Sequence, residues 1–345
     1  MRLRTSDPAR PGWRRVPCGR GFRYLDTEGR PLEAADRSRV RALVIPPAWR
    51  DVWICPWANG HIQAVGTDGA GRRQYLYHDA YRARQELAKH THVLEVAGAL
   101  PRLRRAVRND LARRGLCRER VLACAARLLD RGFFRIGGER YRRDNESYGL
   151  TTLLRSQVRC ARGEARFDYP AKSGKQATAT LVDEEAYRVL RSLLRRAGDG
   201  PRLFAYWDSG SWHDVRAEDL NAYLRDRSGV DISAKDFRTW HATVLAAVAL
   251  AVSEEAGDES ETARRKAVRR AVCEVSDYLG NTPTVCRASY IAPRVLERYA
   301  DGVTVAPALG RLGEHGEFGH PATQGAVETA VRDLLANDTE GPVRR

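Results

Sequence analysis

Six side chains beyond residue 130 are of the kinds that attack on a nucleic-acid phosphodiester requires. Arg135 follows a helix end in FFRIGGERY, and Lys172 stands at the tip of a hairpin turn, KSGK. Lys235 and Arg238 lie at i and i+3 on one helix face in KDFRTW, and LGNTPTVCRASY places Asn281 nine residues before Tyr290. The reaction calls for a nucleophile, donors or cations on the non-bridging oxygens, and an acid for the departing oxygen. A tyrosine hydroxyl has an ordinary pKa of about 10, so nearby positive charge favours its ionisation. Two guanidiniums can bracket the equatorial oxygens without a metal. The departing alkoxide, about as basic as hydroxide, must be protonated as it leaves. A lysine on a hairpin is placed to reach it.

The elements that must hold these groups can be read from periodicity. Residues up to about 90 predict short strands: GFRYLDTEGRPL as a hairpin turning near Glu28-Gly29, then runs at 52–55, 61–65 and 74–77 separated by Asn59-Gly60 and Asp68-Gly69. From Tyr81 a 3.6-residue period predicts helices over 81–91, 101–115, 118–131, 184–197, 217–226, 236–254, 259–279, 285–299 and 321–336. Gly132, Gly198 and Gly280 stand at helix stops. The stretch 162–182 predicts two strands around the Lys172–Lys175 turn, 301–320 a loose connection, and the last few residues a frayed end.

The balance of 59 Lys+Arg against 44 Asp+Glu leaves a net charge of +15, a field that favours polyanions. Arginine supplies nearly all of it, either for bidentate phosphate contacts or through a GC-rich coding bias. Hydrophobic content of 43% over 345 residues suits two packed domains rather than a disordered chain. Seven scattered cysteines form no C-x-x-C pair, and the eight histidines show no ligand spacing, so neither a disulfide framework nor a metal site is expected. The N-terminus has no apolar signal core, and the longest apolar run, 244–252, is far below the roughly 20 residues that span a bilayer. A soluble protein of the reducing cytoplasm is expected.

The ordered set Arg135, Lys172, Arg238, Asn281 and Tyr290 resembles the catalytic pentad of the type IB DNA topoisomerases, in the compact form found in poxviruses and bacteria. Around it IPPAW, DVWICP, GHIQA and GRRQYLYH resemble that family's β domain, and RIGGERY, NESYGLTTL, KSGK and KDFRTWHAT follow in family order. The resemblance implies an α+β protein: a small N-terminal β-sheet domain over 1–90 and a mainly helical catalytic domain with a β-hairpin over 91–345, forming a clamp around DNA. It implies that Tyr290 becomes joined to a DNA 3′ phosphate, that Arg135 and Arg238 stabilise the transition state, and that Lys172, helped by Lys235, protonates the 5′ oxygen. It also implies that Arg72, Gln74, Tyr75 and Tyr77 touch DNA and that Tyr141 contacts a phosphate. Asn281 stands where the family usually carries His; a neutral amide can donate to a non-bridging oxygen but cannot titrate. The implied activity is relaxation of supercoiled duplex DNA without ATP or an obligatory metal, Mg²⁺ acting at most as a stimulant. The expected enzyme is a monomer acting at the nucleoid.

Each residue also has an ordinary reading. Arg135 could cap helix 118–131, Lys172 could be a plain hairpin lysine, and Lys235 and Arg238 could form a solvated face, although Phe237 and Trp240 suggest a helix packed on both sides. Tyr290 could be a core tyrosine, Tyr75 and Tyr77 could simply line a strand, and His241 reads best as a hydrogen-bonded packing residue. The S-G-K near Lys172 is not a phosphate-binding loop, since Tyr169 and Gln176 occupy its diagnostic positions. The rival enzyme is a tyrosine recombinase or integrase, which shares the Arg…Lys…Arg…Tyr order. That family typically carries His three residues before its second arginine, where this chain has Lys235. A non-catalytic DNA-binding protein would explain the charge and leave the ordered set unexplained.

Overall fold

The computed structural model describes residues 1–254, 260–310 and 324–337, apart from a few side chains. The chain divides into two compact units, Met1–Lys89 and His90–Arg345.

In the first unit, β1 (Trp13–Cys18), β2 (Gly21–Leu25), α1 (Ala34–Ala42), β3 (Arg50–Ile54), β4 (Ile62–Thr67) and β5 (Arg73–Tyr77) build an antiparallel sheet in the order β2-β1-β3-β4-β5. β4 is buried along nearly its whole length, and a Cβ on its Gly66 would lie 2.7 Å from the Trp49 ring. Trp13, Val40, Val52, Ile54 and Ala64 form the core. β5 alternates: Gln74 and Leu76 turn partly inward while Arg73, Tyr75 and Tyr77 face solvent, as a strand covered on one side must. The expected hairpin over GFRYLDTEGRPL shrinks to a bridge between Leu25 and Pro31; the main partner of β2 is β1, a strand with no clear alternation.

The boundary between the units falls within α2 (Asp79–Leu111). Two separate helices, 81–91 and 101–115, are expected there; instead one helix runs through Pro101. Its Val93, Val96, Leu100, Leu103 and Val107 make a continuous buried face, and that packing outweighs the lost hydrogen bond. The second unit continues with α3 (Arg118–Gly132), α4 (Glu139–Asn145), β6 (Val158–Ala161), β7 (Glu164–Pro170), β8 (Gln176–Val182), α5 (Glu184–Arg195), β9 (Ala205–Asp208), β10 (Ser211–Asp214), α6 (Ala217–Ser228), α7 (Ala234–Glu254), α8 (Glu261–Leu279), α9 (Pro283–Ser289), α10 (Pro293–Ala300), α11 (Ala306–Leu309) and α12 (Ala326–Ala336). From Val121 to Asp130 α3 is buried all round, the mark of a central helix. Beside it pack α2, α5, α6 and α7, with Phe237, Trp240, Val244 and Leu250 on the last. A five-stranded sheet unit and a mainly helical unit with two smaller sheets make the fold α+β.

The hairpin β7–β8 forms as expected, with β6 added as a third strand. The single helix expected over 285–299 is two helices. Pro293 opens α10, and Ala292 before it is extended, so the chain must break between them. Beyond Gly310 the expected connection lies outside the described residues, as do the last residues of the chain.

Candidate active site

Tyr290 occupies that break. It is the C-cap of α9, half-buried, and its N–H donates to the carbonyl of Cys286 at 3.0 Å. The next residue, Ile291, is fully buried with Cys286, Leu279 and Ala242, so the chain is pinned on both sides of the tyrosine. Thr243 of α7 adds a third fixing point. Its Oγ1 accepts the Ala292 N–H at 3.1 Å and lies 3.3 Å from the Tyr290 carbonyl. Sequence reasoning missed Thr243 although it ends the KDFRTWHAT motif; a threonine inside an apolar helix was the available signal.

Arg238 approaches from α7, its Cζ 5.3 Å from the centroid of the Tyr290 ring. It is 5% exposed. One terminal nitrogen donates to the carbonyl of Phe133, the other to that of Leu279 at 2.8 Å, while Nε has no partner. Burial, then the neighbouring Arg135, lowers its pKa, and Tyr290 opposes that shift. Arg135 follows α3 and Phe133. Instead of capping α3, it reaches the far end of α8: Nη2 donates to Asn281 Oδ1 at 2.6 Å and to the Gly280 carbonyl at 3.3 Å. Arg238 is the residue that caps α3.

That bond settles the orientation of Asn281. With Oδ1 engaged by Arg135, the amide nitrogen Nδ2 is left buried and without an acceptor. A buried donor with no partner carries a desolvation cost of about 1–3 kcal/mol, which an incoming oxyanion would relieve. Two pairs, Arg135–Asn281 and Arg238–Tyr290, thus stand side by side, with Arg135 near enough to Arg238 to lower its pKa.

The segment bearing Arg135 is locked by glycine contacts. The N–H groups of Leu150 and Thr151 donate to the carbonyls of Arg135 and Ile136, each at 2.8 Å. A Cβ on Gly149 would stand 2.5 Å from Gly137 N, and Gly137 itself has φ +82. This close approach is why RIGG and GLTT occur together. On the other side Phe134 meets Phe167 edge-on at 4.9 Å and stacks on Tyr169 at 6.4 Å, which seats the base of the β7–β8 hairpin against the arginine segment. Burial pushes the Tyr169 hydroxyl up to about 12, against the pull of Arg135 and Arg238.

Lys172 stands at the exposed tip of this hairpin, whose turn is closed by the Ala171 N–H on the Lys175 carbonyl at 2.7 Å. Lys235 is exposed near the start of α7. No hydrogen bond among the described residues joins either lysine to the other four groups. His241, expected to be hydrogen-bonded, is buried with both ring nitrogens unpartnered; it packs edge-on against Phe133 and Phe237, with Asp130 at 3.7 Å.

In the first unit Tyr75 and Tyr77 are 41% and 36% exposed, their rings stacked at 6.0 Å, and Tyr81 stacks on Tyr77 at 5.3 Å. Arg72 and Gln74 are both tied to Asp68, whose carboxyl is held at about 2 by the N–H of Arg72 and then by its side chain. Arg73, missed in the sequence, stands on the tyrosine face. Tyr141 lies on α4, its side chain outside the described part. Among the described residues no group of three His, Cys, Asp or Glu could hold a metal ion, and no helix is long and apolar enough to cross a membrane.

Comparison with known proteins meets this geometry. Residues 78–306 match the eukaryotic DNA topoisomerase I catalytic core, and residues 21–68 match the N-terminal domain of bacterial DNA topoisomerase IB. Residues 72–77 fall between the two matches. The DNA topoisomerase 1B of Acanthamoeba polyphaga mimivirus is 29% identical over 81% of this chain and 84% of its own length. The DNA topoisomerase I of Monkeypox virus and the DNA topoisomerase 1B of Vaccinia virus (strain Copenhagen) are 21% and 20% identical over 69% of this chain and 72% of theirs. The catalytic-core match takes in all six candidate residues from Arg135 to Tyr290, and the chain belongs to the type IB DNA topoisomerases.

Proposed function

We propose that this topoisomerase relaxes supercoiled duplex DNA by reversible transesterification at Tyr290. The Tyr290 hydroxyl gives its proton to water as its oxygen bonds to a backbone phosphorus, the bond to the 5′ oxygen breaks, and Lys172, assisted by Lys235, delivers a proton to that oxygen. The protein remains on the 3′ phosphate while the free 5′ end swivels; attack by the 5′ hydroxyl then reverses every step. Arg135, Arg238 and the Asn281 amide hold the non-bridging oxygens as charge accumulates on them. What supports this reading above all is Arg238 lying over the Tyr290 ring with the Arg135–Asn281 pair beside that arginine, and with donors on Arg238 and Asn281 still unpartnered. Residues 1–90 contribute DNA contacts through Tyr75 and Tyr77, joined by Arg72 and Gln74, while 91–345 carry the chemistry and the phosphate contact of Tyr141. The enzyme acts as a monomer at the nucleoid, needs no nucleotide, and uses Mg²⁺ only as a stimulant.

The test is plasmid relaxation in EDTA without ATP. Wild type should relax supercoils and, when denatured in mid-reaction, leave protein on a 3′ phosphate beside a 5′ hydroxyl that a kinase can label. Tyr290→Phe should bind duplex DNA as wild type does, yet relax nothing and form no adduct. Strict dependence on ATP or a divalent ion, or an adduct that survives in Tyr290→Phe, would overturn the reading.

A further inference from the structure

Phe133 adopts a backbone conformation that ordinarily belongs to glycine. It closes α3 with φ 54 and ψ 19, in the left-handed region where a Cβ is strained. The glycine beside it cannot exchange places, since a Cβ on Gly132 would stand 2.3 Å from a carbon of the Phe134 ring. A bulky side chain kept at a strained position invites a search for what the ring does. The ring meets His241 edge-on at 5.2 Å and stacks on Tyr278 at 6.2 Å. It also rests on the cluster of Ala242, Val275, Leu279 and Ile291 on which Tyr290 rests. Its carbonyl accepts a hydrogen bond from Arg238, and two residues further on the chain presents Arg135.

We propose that Phe133 is a positioning residue: its ring, held between His241 and Tyr278, maintains the left-handed turn that orients Arg238 through the carbonyl and carries Arg135 into the site. Strain and ring are separable. Glycine at 133 relieves the first and deletes the second, so a residue needed only to end the helix would be improved by it. This inference rests on the reading that both arginines act on the phosphate, and its test therefore includes a measurement independent of chemistry.

Three quantities are compared in wild type, Phe133→Gly and Phe133→Tyr: duplex affinity, the single-turnover rate of adduct formation, and the rotation rate of the Arg238 guanidinium in the free protein by ¹⁵N NMR. Phe133→Gly should keep its affinity, rotate Arg238 faster, and form adduct about 10–100-fold more slowly, the scale of an ångström-sized misplacement. Phe133→Tyr should restore both rates. Combined with Arg238→Ala, Phe133→Gly should add less than its full single-variant loss, because the share carried by Arg238 is already gone and only the share carried by Arg135 remains. If the glycine variant fails to fold, Tyr278→Ala takes its place: Tyr278 is 67% exposed, and its removal frees one side of the ring. Unchanged Arg238 rotation, adduct formation at the wild-type rate, or losses that multiply in the double variant would each overturn the proposal. A wild type that forms no adduct would instead overturn the reading of Tyr290, while the NMR rates still decide whether Phe133 holds Arg238.

Discussion

At the scale of single residues, the proposed anion donors are held by hydrogen bonds and the proposed proton donor is not. Arg135, Arg238 and Asn281 are bonded into place, whereas Lys172 stands exposed on a hairpin tip. Loss of Lys172 should therefore remove proton delivery without disturbing the rest. Lys172→Ala should slow cleavage by about 10²–10⁴-fold on ordinary DNA, the range for a lost general acid. A substrate with sulfur at the 5′ bridging position needs no proton to depart and should recover the rate; absence of recovery would pass the role to Lys235 or to water. Asn281 makes a different prediction. Its Oδ1 accepts from Arg135 and its Nδ2 is free to donate, so Asn281→Ala should lose both contacts and slow the reaction, while Asn281→His keeps a ring donor and should stay active. Equal losses in the two variants would show that the amide nitrogen does not touch the phosphate.

At the scale of elements, the candidate site draws on the body of α7 and otherwise on ends and turns: the C-termini of α3, α8 and α9 and the tip of the β7–β8 hairpin. The hairpin is held at its base by Tyr169. A hydroxyl with an ordinary value near 10 and a folded value of about 12 prefers to be buried neutral. Its stabilising contribution is complete below about pH 10 and is lost as pH rises through 12, by roughly 2–3 kcal/mol. Denaturant unfolding of wild type and Tyr169→Phe between pH 9 and 12 should show their stability difference drifting in favour of the phenylalanine by that amount; a constant difference would mean that Tyr169 does not titrate in the fold. Much of this architecture was legible in the sequence. The helical period marked α3, α5, α6, α7 and α8, and Arg135, Lys172, Arg238, Asn281 and Tyr290 could be grouped by their order and its family resemblance. What escaped was set by packing. Pro101 reads as a breaker but is carried by a buried face, Phe133 has the sequence look of a core residue rather than a left-handed cap, and the break that frames Tyr290 needed Pro293 to be weighed against the helical period. His241 showed its burial but not its lack of hydrogen bonds, because hydrogen bonds between distant residues leave no periodic trace.

At the scale of the second unit, four helices are fastened by one charged cluster. Arg104 of α2 forms a bidentate pair with Asp130 of α3 at 2.8 and 2.9 Å and bonds Glu328 of α12, which also accepts from Trp240 of α7. Burial alone would raise the Asp130 carboxyl, yet Arg104 holds it well below the usual carboxylate range. That contribution is present above the unfolded value of about 3.9 and is lost as pH falls toward the folded one. Asp130→Asn should destabilise the protein by about 3–5 kcal/mol at neutral pH, the cost of stranding a buried charge, and the loss should shrink in acid. A denaturation midpoint unchanged at pH 7 would show that Glu328 alone satisfies Arg104.

Many of the arginines are spent inward. Arg15, Arg39, Arg155, Arg196, Arg202 and Arg238 each donate to main-chain carbonyls, Arg15 reaching those of Ile45, Pro46 and Trp49 and Arg196 those of Leu193, Leu203 and Gly200. A lysine offers a single ammonium where these sites use a planar fork that spans two or three acceptors. Away from the candidate site, lysine can therefore replace arginine on the outside of this protein and not within it. A gene drifting toward AT-rich codons could recolour the surface with lysine at little cost to folding, but it would meet a floor at these positions, below which arginine content could not fall whatever the composition of the genome.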